Sequence, residues 1–221
     1  MLAIAGGTGP QGRGLALRLA AAGHRVLLGS RARERAVDVA GRLRARLAQA
    51  GEDAASEIIG VENCDAMQAA SVVFLTVPFA ALDALLAGCG ELLAGKVVID
   101  VSNPLAIATD HVVVTPVPEG SASAHVQRVV PSARVVAAFK NVAAKHLLAL
   151  DAVAEGDVLL ASDHADAKAT AAALVRDIPI LRPIDAGPLA NAALLESITA
   201  LELNLNRLHG AHTAIRILGL E

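Results

Sequence analysis

The sequence predicts an α/β protein with a doubly wound parallel sheet and a small C-terminal α/β domain. Short apolar runs alternate with segments of helical composition, which is the pattern of strand-helix-strand units. The runs lack polar alternation, as expected of parallel strands that are covered on both faces. With 221 residues and 54% hydrophobic content, the chain can build one large or two small cores. We expect one domain over residues 1–139 and a smaller one over residues 140–221.

A glycine-rich turn follows the first apolar run, at residues 3–12. Gly7, Gly9 and Gly12 satisfy the G-x-G-x-x-G pattern between a strand and a helix over residues 13–22. The first glycine allows the turn, the second lets the backbone approach a diphosphate, and the third lets the helix pack closely. The alternative is that these glycines only turn the chain. We favour a Rossmann-type dinucleotide site, whose predicted binding loop is Gly7, Thr8, Gly9, Pro10, Gln11 and Gly12.

The end of the second apolar run, residues 25–28, indicates which dinucleotide is bound. An NAD site places an acid there, whereas an NADP site places groups that hold a 2′-phosphate. This chain has Ser30 and Arg31, followed by Arg35. A guanidinium fork and a hydroxyl suit a phosphate, so these three residues predict NADP(H). The alternative is a solvated basic helix face.

The net charge of −3 is unevenly distributed. Residues 1–50 hold nine Arg against two acids, so the segment with the glycine loop is basic. Nucleic acid is the competing explanation, but the chain has no Trp or Tyr and only three Phe to stack on bases. A small polyanionic ligand is therefore favoured, and no nucleic-acid partner is expected.

Neither a membrane nor a metal is expected as a partner. The apolar stretches are broken before 18 residues, and no signal peptide is recognisable. Cys64 and Cys89 lack metal-ligand spacing and are interpreted as two ordinary thiols of a cytoplasmic protein.

Two further strand ends carry candidate ligand contacts. The sequence predicts strands at residues 58–61, 71–78 and 96–101, with helices at 63–70, where Asn63 is a plausible cap, and at 79–87. Ligands bind open α/β sheets at the carboxyl ends of the strands. These ends hold Thr76, Val77, Pro78, Asn103 and Pro104. An ordinary strand end is an equally good account of any one of the first three.

The second half begins with a loop predicted over residues 105–120, a helix over 121–130 and a strand over 134–139. Lys140, Lys145 and His146 follow that strand, so an anionic substrate or an acid-base role is possible beside the alternative of a solvated helix start. Residues 157–161, 165–176 and 178–185 form one more strand-helix-strand unit.

The last predicted helix carries an apolar stripe at helical spacing, which we expect to face the core and a second subunit. Ser197 and Asn204, beside it, are minor candidates for a ligand contact. The stripe consists of Leu194, Ile198, Leu201, Leu205 and Leu208.

The sequence resembles the NADP-dependent reductases of the 8-hydroxy-5-deazaflavin coenzyme F420, the F420H2:NADP oxidoreductases. The resemblance covers nearly the whole chain. Its motifs are Gly6-Gly7-Thr8-Gly9-x-Gln11-Gly12-x-Gly14-Leu15-Ala16, Gly29-Ser30-Arg31, Val101-x-Asn103-Pro104, Val136-Ala137-Ala138-Phe139-x-Asn141-Val142-x-Ala144 and Asp185-Ala186-Gly187-Pro188-Leu189-x-Asn191 with Glu196-Ser197. The first two occur in many NADP enzymes, and the last three are more specific.

The resemblance implies direct hydride transfer between NADP(H) and coenzyme F420 in the cleft between the two domains. It implies no catalytic side chain, a cytoplasmic location and a homodimer or larger homo-oligomer. It places the 2′-phosphate and diphosphate near Thr8, Ser30, Arg31 and Arg35. It also places the deazaflavin near Lys140, Asn141, Val142 and Ala143, where Lys140 replaces what is often a His. Ala138, in the same motif, is a further expected cofactor contact.

Two other function classes stay open from the sequence. One is an NADPH-dependent reductase of an imine or carbonyl, like the pyrroline-carboxylate reductases, which would need a proton donor such as His146, Lys140 or a late Ser or Thr. The other is a non-enzymatic NADP-responsive regulator, which would need no second ligand near Lys140.

Overall fold

A computed structural model describes residues 1–51, 57–151 and 156–220. Within these ranges the strands, numbered in chain order, are β1 (Leu2–Ala5), β2 (Val26–Ser30), β3 (Ile58–Glu62), β4 (Val72–Leu75), β5 (Val97–Asp100), β6 (Leu105–Ile107), β7 (Val112–Val114), β8 (Arg134–Ala137), β9 (Gly156–Leu160) and β10 (Leu181–Asp185). The helices are α1 (Pro10–Ala21), α2 (Arg33–Gln49), α3 (Asn63–Ala69), α4 (Leu82–Cys89), α5 (Ala122–Val129), α6 (Ala144–Leu148), α7 (Ala165–Arg176) and α8 (Ala192–His209).

Six parallel strands form the central sheet in the order β3-β2-β1-β4-β5-β8. Successive side chains of a strand point to opposite faces, and β1 shows how both faces are covered. Leu2 and Ile4 pack in one core with side chains of α1, α2 and α7. Ala3 and Ala5 pack in a second core with α3, α4 and α8. The predicted doubly wound α/β fold is confirmed.

The strand order reverses beside β1, so the carboxyl ends of β1 and β4 border the crevice where such sheets bind ligands. The strands β9 and β10 form a separate parallel pair. Ala137 and Ala161 form an isolated bridge between this pair and β8. Val158 and Leu160 of β9 share a core with Leu2 and Ile4. The domain boundary after residue 139 stays a prediction.

The loop predicted over residues 105–120 is wrong in its first half, because β6 and β7 form a short antiparallel hairpin there. Asn204 of α8 holds this hairpin through both groups of its side-chain amide. Its Oδ1 accepts from the N–H of Val112 at 2.6 Å, and its Nδ2 donates to the Val112 carbonyl at 2.9 Å. Asn204 thus has a structural contact rather than a free side chain.

The expectation that the apolar stripe of the last helix faces the core is wrong for most of the stripe. Leu194, Leu201 and Leu208 are exposed by 60%, 57% and 76%, whereas Ile198 is half-buried and packs against the second core. The buried face of α8 instead carries Leu195, Glu196, Thr199 and Glu202, among others. Glu196 has a buried cation, Lys140, as its partner. Glu202 has no such partner among the described residues, and its Oε1 is buried without a hydrogen bond. None of the described helices is long and apolar enough to span a bilayer.

Candidate functional site

The glycine loop turns at Gly6 rather than at Gly7, which corrects the role predicted for the first glycine of the motif. Gly6 has φ +76°, a conformation that side-chain-bearing residues rarely adopt. Gly7 is required by packing, because a Cβ there would lie 2.6 Å from Leu28 Cδ1. A Cβ on Gly12 would lie 2.5 Å from the Cα of Gly7, so Gly12 lets α1 lie directly on the loop, as predicted.

The start of α1 is open to an anion. Gly9 is the N-cap residue, Pro10 occupies the first turn, and no side chain caps the helix or brings an acid into that turn. A Cβ on Gly9 would approach only the Gly6 carbonyl oxygen, at 3.5 Å, so the protein's own packing does not demand a glycine there. The free N–H groups and positive end of a helix favour a phosphate at such a position.

A cleft of about 480 Å³ lies at the carboxyl ends of β1, β2 and β4. It brings together eight of the predicted cofactor contacts. They are Thr8, Gly9, Ser30, Arg31, Arg35, Thr76, Val77 and Pro78. Thr76 is partly engaged already, since its hydroxyl donates to the Ala5 carbonyl at 2.8 Å.

The outer end of this cleft is basic. Arg31 and Arg35 are exposed, and in the described part of the chain neither forms an ion pair. Arg33 points elsewhere, with its guanidinium 3.9 Å from the Asp65 carboxylate. Ser30 is buried, and its hydroxyl oxygen accepts a hydrogen bond from the N–H of Ala32 at 3.4 Å. Two unpaired guanidinium groups beside a hydroxyl form a suitable site for a phosphate.

The cleft also includes residues that the sequence analysis did not assign to it. They are Gly6, Glu62, Asn63, Cys64, Ala81, Ala84, Leu85 and Cys89. The predicted cap role of Asn63 is wrong, because Glu62 is the N-cap residue of α3. The Asn63 Oδ1 accepts instead from the N–H of Gly6 at 3.0 Å. The sequence placed Asn63 only at the junction of a strand and a helix. Its contact with Gly6 was not predictable, because the two residues are 57 positions apart.

Cys64 and Cys89 are joined in a disulfide, with their Cα atoms 5.4 Å apart. The interpretation of two separate thiols is therefore wrong. Their separation of 25 residues follows no redox or metal motif, so only the packing of α3 against α4 shows the pairing. Among the residues that the structure describes, no group of His, Cys, Asp and Glu side chains is arranged to hold a metal.

A second set of predicted residues lies outside this cleft, around the ends of β5 and β8. Gln11 Nε2 donates to the carbonyls of Phe139 and Val142, at 3.4 and 3.1 Å. Asn103 Nδ2 donates to the Lys140 carbonyl at 3.1 Å. The ends of β5 and β8 and the start of α1 are thus linked by hydrogen bonds. Pro104, Ala138 and Asn141 are buried in the same region.

Phe139 carries the backbone strain of this region, at φ +56° although it is not a glycine. It is fully buried and packs against Phe74, with the ring centroids 5.9 Å apart. A non-glycine residue in the left-handed region is held there by its surroundings, and such positions cluster at functional sites. The turn that it makes sets the direction of residues 140–143.

The Lys140 side chain points into the protein, which revises its predicted role as a contact for an anionic substrate or a ring. Lys140 Nζ lies 2.9 Å from Asp100 Oδ2 and 3.1 Å from Glu196 Oε1, and all three side chains are fully buried. Its Nζ also donates to the Ser102 carbonyl. Burial raises the pKa of Glu196, although the charge of Lys140 opposes the shift. Lys140 thus joins β5, β8 and α8 from inside.

Val142, Ala143 and His146 line a small cavity of about 10 Å³ together with Ala214 and Ile215. Burial, followed by the charges of His212 and Lys145, lowers the pKa of His146. A neutral imidazole at pH 7 is a poor general acid. Ser197 is exposed, donates to the Ala193 carbonyl of its own helix at 2.8 Å, and does not line the 480 Å³ cleft.

A larger but more open cleft, of about 780 Å³, lies at β9, β10 and α7. None of the predicted cofactor residues lines it. Its one described lysine, Lys168, is already paired with Asp185 at 2.7 Å. Its size alone therefore gives no reason to place the dinucleotide there.

Comparisons with known proteins agree with the site. The family described as "NADP oxidoreductase coenzyme F420-dependent" matches residues 1–104. The F420-dependent NADP reductase of Methanothermobacter thermautotrophicus is 41% identical over 99% of this chain and 95% of its own. The F420-dependent NADP reductase of Methanocaldococcus jannaschii is 38% identical over 100% of this chain and 99% of its own. This chain belongs to the F420-dependent NADP reductases.

The similarity to a solved structure also extends over nearly the whole chain. A crystal structure from Arthrobacter sp. FB24 superposes with a TM-score of 0.80 at 26% identity, covering 98% of this chain and 99% of that one. The resemblance that the motifs indicated is confirmed. Lys140, where the family pattern often has a His, has its own buried partners in this reductase.

The residues of this reductase fit a nicotinamide dinucleotide on two grounds. The first ground is the open space beside Gly9, where a Cβ would approach only the Gly6 carbonyl oxygen. In addition, Asn103 Oδ1 is buried and has no hydrogen-bond partner among the described residues. Buried polar atoms are nearly always hydrogen-bonded, and a carboxamide N–H is a donor of the kind that this oxygen lacks.

Proposed function

We propose that the protein transfers a hydride directly between NADP(H) and coenzyme F420. The observation that carries the proposal is the 480 Å³ cleft, which joins an uncapped helix start to two unpaired arginines. Membership of the reductase family supplies the second substrate. The imine-reductase and regulator alternatives are not favoured, because the relatives are named F420-dependent NADP reductases.

Binding of the dinucleotide divides into two parts. Thr8, Gly9 and the first turn of α1 hold the diphosphate by N–H groups and the helix dipole. Ser30, Arg31 and Arg35 hold the 2′-phosphate and thereby select NADP(H) over NAD(H). Thr76, Val77 and Pro78 border the path between the phosphates and the ring end.

At the reacting end the protein aligns two rings. Asn103, Pro104 and Ala138 support the nicotinamide side, and residues 140–143 support the deazaflavin side. When bound, the two coenzymes supply the hydride donor and the hydride acceptor. Lys140 contributes as a positioning residue, since its buried ion pairs fix the strand ends on which Asn103 and Asn141 lie. No acid is required, in agreement with a neutral His146.

The exposed leucines of α8 support a homodimer. Leu194, Leu201 and Leu208 leave a long apolar face uncovered on one helix, and monomeric proteins rarely expose such surfaces. A second copy of the chain can cover it with the same helix, as a two-fold interface requires. The cytoplasmic location stays a prediction.

The proposal is tested by mixing the purified protein with NADPH and oxidised coenzyme F420 and following the deazaflavin absorbance. We expect the absorbance to fall with one deazaflavin reduced per NADPH consumed. NADPH oxidation with a cyclic imine but not with F420 would support the imine reductase instead. Tight NADPH binding without any turnover would support a regulator.

A further inference from the structure

We propose that Cys64 and Cys89 form a thiol-disulfide switch in the wall of the dinucleotide cleft, so that a dithiol reductant weakens NADP(H) binding. The inference rests on the proposed binding of NADP(H) in that cleft. It adds a site that hydride transfer does not use, since neither sulfur has a role in the reaction described above.

The disulfide lies inside the cleft rather than at a remote surface. Cys64 is in the first turn of α3, and Cys89 is the last residue of α4. Both residues line the cleft together with Arg31 and Arg35. Their Cα separation of 5.4 Å lies within the ordinary range for a disulfide. The bond therefore ties together two helices that bound the same ligand space.

The helix α3 is mechanically linked to the phosphate loop. Asn63, the neighbour of Cys64, accepts from the Gly6 N–H at 3.0 Å. The same side chain packs against β2, because a Cβ on Gly29 would lie 2.7 Å from Asn63 Oδ1. A displacement of α3 is therefore transmitted to the turn at Gly6 and to the strand that carries Ser30.

The helix α4 also lines the cleft, through Ala84 and Leu85. Bonded sulfurs are about 2.05 Å apart, whereas unbonded heavy atoms pack at roughly 3.5 to 4 Å. Reduction thus separates the two helices on the order of 1 to 2 Å. Because Cys89 is only 5% exposed, the thiols cannot relax simply by turning into solvent. The oxidised protein holds the cleft in its binding shape, and the reduced protein holds it less firmly.

The chemical step is an exchange with a small dithiol, which is the reductant. Cys64 is the more exposed of the two cysteines, so one thiolate of the dithiol attacks its Sγ. Cys89 then leaves as a thiolate that takes up a proton. The second thiol of the reductant then displaces Cys64, which is also protonated, and closes its own disulfide. The protein gains two electrons and two protons, and the dithiol loses them. A disulfide oxidant reverses the exchange.

The test compares the NADPH dissociation constant of the full chain after oxidation with oxidised dithiothreitol and after reduction with dithiothreitol. We expect it to rise about tenfold on reduction, together with a mass increase of two hydrogens. By linkage, saturating NADPH should then lower the midpoint potential of the pair by roughly 30 mV. The matched control is the double variant Cys64→Ser/Cys89→Ser, which should bind like the reduced protein and not respond to dithiothreitol. Cys89→Ala alone serves if the double variant does not fold.

The inference is overturned if both redox forms bind NADPH equally, if no disulfide forms on oxidation, or if the double variant responds to dithiothreitol as the natural sequence does. These results differ from a failure of the proposed function. If the cleft were not an NADP(H) site, neither redox form would bind NADPH, and if only hydride transfer failed, both forms would bind NADPH without reducing coenzyme F420.

Discussion

The side-chain amide of Gln11 donates a hydrogen bond to the main-chain oxygen of Val142 at 3.1 Å. This contact joins the glycine loop to the segment that we place beside the deazaflavin, across 131 positions of sequence. It makes the two halves of the proposed site one unit, so the position of one coenzyme is mechanically related to the position of the other.

Gln11→Ala should therefore slow hydride transfer more than it weakens NADPH binding. The substitution removes the hydrogen bonds from Gln11 to the Phe139 and Val142 carbonyls, and we expect the lost alignment to lower the single-turnover rate about tenfold, or ~1.4 kcal/mol in the barrier. Stopped-flow absorbance at saturating coenzymes measures the rate, and a binding titration measures the affinity. Gln68→Ala, at an exposed position on α3, is the control. An unchanged rate in Gln11→Ala would show that the contact does not align the site.

Arg31→Ala should raise the Michaelis constant for NADPH while leaving that for NADH nearly unchanged. Loss of a charge-assisted hydrogen bond to the 2′-phosphate corresponds to about 1.5 to 3 kcal/mol, or roughly 12- to 150-fold. Steady-state kinetics with both dinucleotides give the comparison. Arg33→Ala is a matched control, because Arg33 faces Asp65 and does not line the cleft. Equal use of NADPH and NADH by the natural sequence would refute the assignment.

Glu202→Gln should stabilise the protein above neutral pH. Burial raises the pKa of Glu202 to about 7, and its Oε1 has no hydrogen-bond partner among the described residues. The folded chain then binds a proton that the unfolded chain has lost, so stability falls as pH rises from about 4.5 to about 7. The amide cannot ionise and escapes this loss.

Denaturant unfolding at pH 5 and pH 8 measures the effect of Glu202→Gln. We expect little change at pH 5 and a gain of about 1 to 3 kcal/mol at pH 8, the scale of an unsatisfied buried group. Glu91→Gln, at an exposed position, should have the same free energy of unfolding as the natural sequence at both pH values. A variant that is less stable at pH 8 would mean that the carboxylate of Glu202 is needed in its charged form.

Leu201→Glu should shift the solution mass toward the monomer without unfolding the chain. Leu201 is 57% exposed, so a carboxylate there meets solvent in the monomer but an apolar surface in the proposed dimer. Light scattering reports the mass, and circular dichroism reports the fold. Val37→Glu, on α2 and 50% exposed, is the matched control. A monomeric natural sequence would contradict the interface.

The fold was predictable because its signals are local. An apolar run, a glycine turn and a helical segment identify each unit, and the parallel topology follows from their repetition. The α8 orientation was not predictable, because leucine spacing shows that a helix has an apolar stripe but not what covers it. The burial of Glu196 depends on Lys140, 56 positions earlier, which no window of sequence connects.

The site was predictable where a motif specifies backbone geometry and unpredictable where contacts are tertiary. The motif identified the glycine loop, although the left-handed residue is Gly6. The Asn63 contact to Gly6 and the Cys64–Cys89 bond arise from the packing of helices that are distant in sequence. The hairpin β6–β7 was missed because three-residue strands followed by prolines at 116 and 118 resemble a loop in composition.

Direct transfer is tested most sharply with NADPH carrying deuterium at the transferring position of nicotinamide C4, in a single turnover with oxidised coenzyme F420 in ordinary water. We expect the reduced deazaflavin to retain that deuterium, both in the natural sequence and in His146→Ala, whose rate should fall by no more than about tenfold. A deazaflavin product without deuterium, or a thousandfold loss of rate in His146→Ala, would contradict direct hydride transfer.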